Sequence, residues 1–365
     1  IGYFYFNYSN AIICFFFYLS MKAHYKRYFL KFKRPVRTSQ RVLTEKETWF
    51  LFLTDGKKKG VGECGLFRGL SIDDREDYED QLKNLCRRIN ENEEIKQKEL
   101  QSFPSIKMGY EMALMSIKSE NTFELFPSAF TRGEESIRTN GLVWMGNPSF
   151  MKDQIDQKIA QGFNCIKLKI GALDFNEEMS ILCEIRKHFD EREMILRVDA
   201  NGSFSTNEAM NKLKSLADLG IHSIEQPIAK GQYKEMKNLC LRSPIPIALD
   251  EELIGVNEKI ERVELLDKIM PQYLIFKPSL LGGFRSCEEW IALASERSIG
   301  WWVTSALESN IGLNAIAQWT FSLRVNSHQG LGTGKLFTNN FESPLEVRNG
   351  TLTFNSNQNW NFPFS

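Results

Sequence analysis

Acidic residues end three apolar, strand-like runs of this chain at nearly equal intervals. Asp199 ends ILRVD, Glu225 ends IHSIE and Asp250 ends IPIALD, so that 26 and then 25 residues separate one acid from the next. A helix-compatible stretch lies between each acid and the next run, so each interval corresponds to one strand–helix unit. Because the carboxyl ends of successive parallel strands meet at one mouth of a (β/α) barrel, we expect the three carboxylates to converge there.

Lysines stand on both sides of this acid series. Lys167 and Lys169 lie on the run CIKLKIG before Asp199, and Lys277 ends YLIFK, 27 residues after Asp250. Side chains alternate along a strand, so Lys167 and Lys169 point to the same side. That side must be the barrel interior if the intervening apolar residues are to pack against the helices. The pattern therefore predicts ammonium groups on two sides of a set of carboxylates.

Three carboxylates held together repel one another, and a divalent hard cation would remove that repulsion. Oxygen ligands favour Mg²⁺, with Mn²⁺ as the alternative, and leave coordination positions for a substrate. Asp250 is followed by Glu251, but alternation along a strand predicts that these two do not both face the metal. The predicted metal ligands are Asp199, Glu225 and Asp250.

Neighbouring buried ammonium groups are expected to lower each other's pKa, so that one lysine of the pair becomes a base near neutral pH. A metal that holds a substrate carboxylate beside such a lysine suits removal of the proton α to that carboxylate. The enediolate that forms needs positive charge, which the metal and a second ammonium group supply. We therefore expect a small-molecule carboxylate substrate that undergoes racemisation, elimination or ring opening. Ordinary salt bridges would explain one acid, but not three in phase between lysines.

Composition places the chain among globular proteins with a large core. It has 365 residues, of which 42% are hydrophobic and 25% charged, and this length allows two domains or one barrel with additions. Basic and acidic residues number 46 each, so the net charge favours neither a nucleic-acid nor a membrane partner. The seven cysteines are scattered without a CxxC pair, which is typical of reduced cysteines in a cytoplasmic protein.

The glycine-rich segment GVGECGLFRGLS occupies residues 60–71. It lacks the glycine spacing of a phosphate-binding loop and does not open a helix directly after a strand, so no nucleotide cofactor is predicted. We expect a flexible loop between the two domains that can exclude water from the barrel mouth.

The N-terminal part divides into two segments. Residues 1–20 are aromatic-rich and contain no Lys or Arg, whereas a signal peptide begins with a basic segment and a membrane span has flanking anchors. We expect these residues to be translated upstream sequence, with the working protein beginning at Met21; a membrane anchor is the alternative. Residues 21–130 contain three strand-like runs followed by helical patterns, which predict an α+β capping domain.

Residues 131–335 predict the barrel. Strand-like runs occur at 137–145, 164–170, 194–199, 222–225, 246–250, 273–277, 300–304 and 327–331. Helix-compatible stretches follow the first seven runs, which is the order of a (β/α)7β barrel in the α/β class. In residues 336–365, the NG turn of EVRNGTLTF predicts a hairpin, and we expect this tail to pack back on the capping domain.

The combined pattern resembles the enolase superfamily, in the subgroup with KxK on the second barrel strand, metal ligands Asp, Glu and Asp on the next three strands, and Lys on the sixth. Four further motifs resemble the o-succinylbenzoate synthase family: GECGLFRGLS, NGLVWMG, SALESNIG and GLGTGKLF. The resemblance extends from Met21 to the end of the chain. It implies a (β/α)7β barrel with an N-terminal α+β capping domain.

The resemblance also implies roles for six residues. Asp199, Glu225 and Asp250 would bind Mg²⁺. Lys169 would remove the α proton and then protonate the departing hydroxide, Lys167 would assist through its charge, and Lys277 would stabilise the enediolate by charge and cation–π attraction. The implied reaction is loss of water from 2-succinyl-6-hydroxy-2,4-cyclohexadiene-1-carboxylate in menaquinone biosynthesis.

Two alternatives share parts of this pattern. An N-succinylamino acid racemase or a dipeptide epimerase of the same superfamily would use the same lysines. An epimerase that binds the free amine of a dipeptide is expected to place an acid on the late strands, and Glu308 is the candidate. A non-catalytic barrel that binds a metal or metabolite is the second alternative, and paired lysines argue against it because a binding protein needs no base.

Overall fold

The computed structural model of the protein describes residues 21–37 and 42–364. The segment interpreted as upstream sequence, residues 1–20, lies outside the described residues. No helix in the described part is long and apolar enough to cross a membrane.

An antiparallel sheet opens the described chain. Its strands, in the order in which they pair, are β1 (Lys22–Arg37), β2 (Val42–Thr54) and β3 (Lys59–Cys64). The central strand β2 carries a continuous buried apolar run. Trp49, Leu51 and Leu53 belong to the core of the capping domain. Phe50 and Phe52 belong to the larger core that includes the barrel. Because side chains alternate along a strand, one apolar run joins two cores.

Two helices pack on this sheet, namely α1 (Tyr78–Asn90) and α2 (Pro104–Lys118). α2 begins with a proline, whose fixed φ and missing N–H suit the first turn of a helix. β3 and α2 approach each other through glycines: a Cβ on Gly62 would lie 1.8 Å from the carbonyl oxygen of Gly109. Only glycine allows this backbone contact, which fixes the strand that leads into the glycine-rich loop.

The barrel follows a short strand, β4 (Ile137–Arg138). Its parallel strands are β5 (Gly141–Val143), β6 (Cys165–Lys169), β7 (Ile195–Asp199), β8 (Ser223–Glu225), β9 (Ile247–Leu249), β10 (Tyr273–Phe276) and β11 (Gly300–Val303). The helices after them are α3 (Pro148–Ala160), α4 (Phe175–His188), α5 (Thr206–Ala217), α6 (Tyr233–Arg242), α7 (Lys259–Ile269), α8 (Pro278–Leu281) with α9 (Phe284–Glu296), and α10 (Asn310–Ser322). Neighbouring strands pair in chain order from β5 to β11, which confirms the predicted parallel barrel.

The eighth strand differs from the prediction. Within the predicted run 327–331, Gln329 forms an isolated bridge with Thr139, and Gly330 forms one with Thr304. These two bridges connect the first and last strands of the seven-stranded sheet and close the barrel. This described segment is not a full strand, because only one of its residues pairs with each edge of the seven-stranded sheet.

The orientation of β6 agrees with the sequence argument. Ile166, Leu168 and Ile170 are each at most 1% exposed and belong to the main hydrophobic core. The lysines between them therefore point into the barrel, on the opposite face of the strand.

The C-terminal tail contains the predicted hairpin. Its strands are β12 (Leu345–Arg348) and β13 (Thr351–Phe354), joined through the NG turn. β13 also pairs with β4, since Leu352 is opposite Ile137. Beyond the hairpin, the Phe362 ring lies 5.3 Å from the Phe50 ring of β2, centroid to centroid. The tail thus contacts the capping sheet, as expected, and the start of the barrel as well.

Candidate active site

Strand register brings the predicted site residues to one level of the barrel interior. Lys169 of β6 is opposite Asp199 of β7, and Asp199 is opposite Glu225 of β8. Asp250 and Lys277 directly follow β9 and β10. Parallel strands that end together place these side chains at the same mouth. The structure therefore collects the three acids and the lysines into one site.

Each lysine contacts at least one of the acids. The Lys167 ammonium nitrogen lies 2.9 Å from Asp199 Oδ2 and also contacts Glu225 Oε2. Lys169 Nζ is 3.0 Å from Asp199 Oδ2. Across the mouth, Lys277 Nζ contacts Asp250 Oδ2 and lies 4.0 Å from Glu225 Oε1. The acids are at most 2% exposed, so these ion pairs are formed away from water.

The predicted lowering of the lysine pKa is wrong for Lys167. Burial disfavours the charge on Lys167, but Asp199 and Glu225 outweigh burial and raise its pKa. The pKa of Lys277 is raised for the same reason, with Asp250 as its main partner. We expected the ammonium groups of Lys167 and Lys169 to lower each other's pKa, but at Lys167 the attraction of the carboxylates dominates.

The acids themselves respond in different directions. Burial, followed by the charge of Asp199, raises the pKa of Glu225 to about 8. Burial also raises the pKa of Asp250. In Asp199, burial is outweighed by the charges of Lys167 and Lys169, which lower its pKa. Crowded carboxylates with too little compensating charge produce this divergence.

Two site residues were missed by the sequence analysis. Glu251 lines the cavity at the mouth, although strand alternation predicted that it would point elsewhere. β9 ends at Leu249, and Glu251 begins a 3-10 helix, so alternation no longer applies. Asn201 accepts a hydrogen bond from Lys169 at 2.6 Å and donates one to Glu251 at 3.0 Å. Its position two residues after Asp199 was the available signal.

The cavity above these residues has a volume of about 680 Å³. The glycine-rich segment contributes Phe67, Arg68, Gly69 and Leu70 to its wall, so it lies over the mouth as predicted. Asp73, just after the segment, holds its end in place. It accepts hydrogen bonds from the backbone N–H and the hydroxyl of Ser105, in the first turn of α2.

Glu308 lies outside the cavity wall. It is fully buried, and its carboxylate accepts hydrogen bonds from the Ala306 N–H at 2.8 Å and from the Ser279 hydroxyl. Its burial and its position outside the cavity wall argue against the hypothesis that Glu308 receives the amine of a dipeptide.

An α+β cap, a barrel of seven strand–helix units and a mouth with acids between lysines define a protein of the enolase superfamily. A family model described as "Enolase C-terminal domain-like" matches residues 151–358. A second one, described as "MenC, N-terminal domain", matches residues 20–117.

Known proteins resemble the chain along nearly its whole length. The o-succinylbenzoate synthase of Desulfotalea psychrophila is 46% identical over 91% of this chain and 98% of that protein. The crystal structure of MenC from the same organism superposes with a TM-score of 0.83 at 43% identity, covering 92% of this chain and 99% of that one. The L-Ala-D/L-Glu epimerase of Bacillus subtilis shares the fold, with a TM-score of 0.76 at 21% identity over 91% of this chain and 95% of that one. The chain belongs to the o-succinylbenzoate synthase family.

Proposed function

We propose that this protein catalyses the o-succinylbenzoate synthase reaction of menaquinone biosynthesis. The substrate, 2-succinyl-6-hydroxy-2,4-cyclohexadiene-1-carboxylate, loses a proton from the carbon that bears the carboxylate and a hydroxide from the neighbouring carbon. The ring gains a third double bond and becomes 2-succinylbenzoate. The observation that carries this proposal is the 46% identity along 98% of a relative of this activity.

Lys169 is the proposed base and acid. In its neutral form it removes the α proton, and the electron pair left on carbon is delocalised into the carboxylate. When the carbon–oxygen bond breaks, Lys169 returns the proton to the hydroxide, so the leaving group departs as water. Its side chain lines the cavity, and bonds to Asp199 and Asn201 hold its amine in place.

Lys277 and Lys167 supply positive charge. Lys277 lines the cavity at the end of β10, the strand that lies across the mouth from β6. Its ammonium group can therefore stabilise the enediolate from the other face. Lys167 lies beneath, between Asp199 and Glu225. We assign it an electrostatic role because its ammonium group is held between these two carboxylates, although its side chain also contributes to the cavity wall.

The carboxyl groups suit a divalent hard cation. Four acids surround three ammonium groups, since Glu251 joins the predicted set. Among the described residues, the buried Glu225 Oε1 atom has no hydrogen-bond partner, and its ion-pair contact with Lys277 is long, at 4.0 Å. Lysine nitrogens lie between the carboxylates, and in the part of the chain that the structure describes no three acidic, cysteine or histidine side chains are gathered as a metal centre.

Members of the enolase superfamily generally use Mg²⁺. We propose Asp199, Glu225 and Asp250 as its ligands in this chain, with Mn²⁺ as a substitute. When bound, the cation would supply positive charge for the substrate carboxylate as the α proton leaves.

Replacing a proposed ligand provides a test that does not depend on turnover. We expect Asp250→Asn to weaken Mg²⁺ binding by more than about tenfold, the effect already seen when residues that only orient ligands are removed. Isothermal titration calorimetry measures this affinity, and Glu252→Gln on the same 3-10 segment is the matched control. Unchanged affinity in Asp250→Asn would remove Asp250 from the ligand set.

The activity is tested by following ultraviolet absorbance as the cyclohexadiene becomes aromatic, with Mg²⁺ and with EDTA. We expect turnover only with Mg²⁺. The racemase alternative is tested by incubating the enzyme with N-succinylamino acids in deuterated buffer, where incorporation of deuterium at the α carbon would reveal it. A protein that neither dehydrates the first substrate nor exchanges protons of the second would contradict catalysis altogether.

The location of this reaction is proposed to be the cytoplasm. The cysteines in the described part of the chain are all free, and most are buried. Such cysteines fit a reducing compartment.

A further inference from the structure

Basic side chains outnumber acidic ones on the wall of the active-site cavity, whereas the whole chain is neutral. Of the residues that the structure describes, nine basic and two acidic ones line the cavity, although basic and acidic residues number 46 each in the chain. Three of the nine are the barrel lysines described above. The other six lie on segments outside the barrel strands: Lys33, Arg34, Arg68, Lys158, Lys230 and Lys335. Arg68 is paired with Glu47 and Asp74, so the excess positive charge at the entrance to the site belongs to the other five.

Three of these residues form one group, which we call the basic rim: Lys33, Arg34 and Lys335. β1 pairs with the segment after the last barrel bridge through an antiparallel bridge between Phe32 and Phe337. The three basic residues lie next to this bridge in the sequence. The two phenylalanine rings are also in contact, with centroids 4.7 Å apart. This pairing holds residues from the two ends of the chain side by side at the cavity.

The side chains of the basic rim are open to the cavity and to solvent. All three side chains are exposed, and none of them has an ion-pair partner within the ranges 21–37 and 42–364. Glu346, whose pKa is lowered in part by the charge of Lys335, is itself paired with Arg348 at 2.7 Å. The rim charges therefore remain available to an anion in the cavity.

We propose that the basic rim receives the second carboxylate of a dianionic substrate and determines the preference for dicarboxylates. This inference rests on the proposed function, whose substrate has one carboxylate on the ring and another at the end of the succinyl chain. The ring carboxylate belongs at the barrel lysines, so the succinyl carboxylate must lie farther out. A cleft lined by one sign of charge concentrates ions of the opposite sign, and the effect decreases with salt.

The test compares two triple variants. The rim variant is Lys33→Gln, Arg34→Gln, Lys335→Gln, and the control is Lys83→Gln, Lys214→Gln, Lys237→Gln, which removes three exposed charges elsewhere. At low salt we expect the rim variant to lose about tenfold in kcat/KM, the lower end of electrostatic steering effects, with a smaller change in kcat. The deficit should disappear at high salt. The control should follow the wild-type salt dependence.

Equilibrium binding separates this inference from the proposed function. Binding of 2-succinylbenzoate, a dianion, should weaken in the rim variant, whereas binding of benzoate, a monoanion, should not. This measurement holds even if the wild-type protein failed to dehydrate the proposed substrate, which would contradict the function alone. Wild-type kcat/KM and salt dependence in the rim variant, or an equal loss of affinity for both ligands, would overturn the role of the rim.

Discussion

The two lysines of β6 have different surroundings, although the sequence places them symmetrically. Lys167 lies between two carboxylates, and its side chain is 9% exposed. The Lys169 ammonium group contacts the Asp199 carboxylate and donates a hydrogen bond to the neutral amide oxygen of Asn201. Its side chain is 14% exposed. The Trp144 ring centroid lies 5.9 Å from its nitrogen. Of the two β6 lysines, Lys169 therefore has fewer carboxylate partners and better access to substrate.

Replacing each of the two lysines in turn tests whether they have different roles. We expect Lys169→Ala to lower kcat by at least about 10⁴, because it removes both the base and the acid of the elimination, each of which contributes about 10² to 10⁴. Lys167→Ala removes one electrostatic partner and should lower kcat by about 10² to 10³. Single-turnover absorbance measurements can quantify both losses.

Affinity for 2-succinylbenzoate is the control for these variants. It should change little in Lys169→Ala, because proton transfer does not occur in the product complex. If Lys169→Ala kept substantial activity while Lys277→Ala lost all of it, the base would lie on the opposite face of the mouth.

At the scale of elements, one carboxylate joins the capping sheet to a barrel helix. Glu63 of β3 is fully buried. It accepts hydrogen bonds from the Thr48 hydroxyl at 2.8 Å, from the backbone N–H of Ser309 at 2.9 Å and from that of Gly312 at 2.8 Å. The last two groups begin α10, where a negative charge is also stabilised by the helix dipole. Glu63 thus fixes the position of the capping sheet relative to the barrel.

We expect Glu63→Gln to destabilise the protein by about 1–3 kcal/mol, the cost of leaving buried polar groups unsatisfied. The amide keeps the shape of the side chain but presents donors to groups that are themselves donors. Urea unfolding measures the change, and Glu45→Gln, an exposed position on β2, is the control. Equal stability of the two variants would show that the domains are held by apolar packing alone.

At the scale of the whole molecule, the barrel has a polar cluster toward the amino ends of its strands. Arg197, two residues before Asp199 on β7, is 3% exposed and lies over the Trp302 ring at 3.9 Å. It donates a hydrogen bond to the His328 carbonyl at 2.9 Å. Burial, followed by the charge of Arg197, lowers the pKa of both His222 and His328 to about 4.

This cluster predicts acid sensitivity. The histidine pKa is near 6.5 in the unfolded chain and about 4 in the folded protein. Between these values the unfolded state binds more protons, so the stability present above pH 6.5 is lost as the pH falls toward 4. We expect the free energy of unfolding to decrease over this interval, and less steeply in His328→Gln than in the wild type.

Urea unfolding at a series of pH values measures this slope. His188→Gln is the control, because His188 is exposed on α4 and its replacement removes a histidine without altering the buried cluster. If His328→Gln had the wild-type slope, other groups would account for the loss of stability in acid.

Much of the fold could be predicted from local patterns. The barrel strands begin and end within a few residues of the predicted runs because each run is a short apolar segment bounded by turn residues. The run at 327–331 failed this rule, since its composition suits a strand but its place between two sheet edges allows only isolated bridges. The domain boundaries at residues 130 and 335 stay predictions.

The sequence by itself determined the spacing of Asp199, Glu225 and Asp250 and the common direction of the two β6 lysines. These features follow from the fixed geometry of strands and of repeated strand–helix units, which acts over short distances along the chain. Only the tertiary structure decided that the carboxylates, rather than the neighbouring ammonium groups, set the direction in which the pKa values of Lys167 and Lys277 shift. It also decided the burial of Glu308 and the pairing of Phe32 with Phe337, which places Lys33 and Lys335 at the same cavity. Contacts of this kind join segments far apart in the chain, and they depend on how the whole molecule packs.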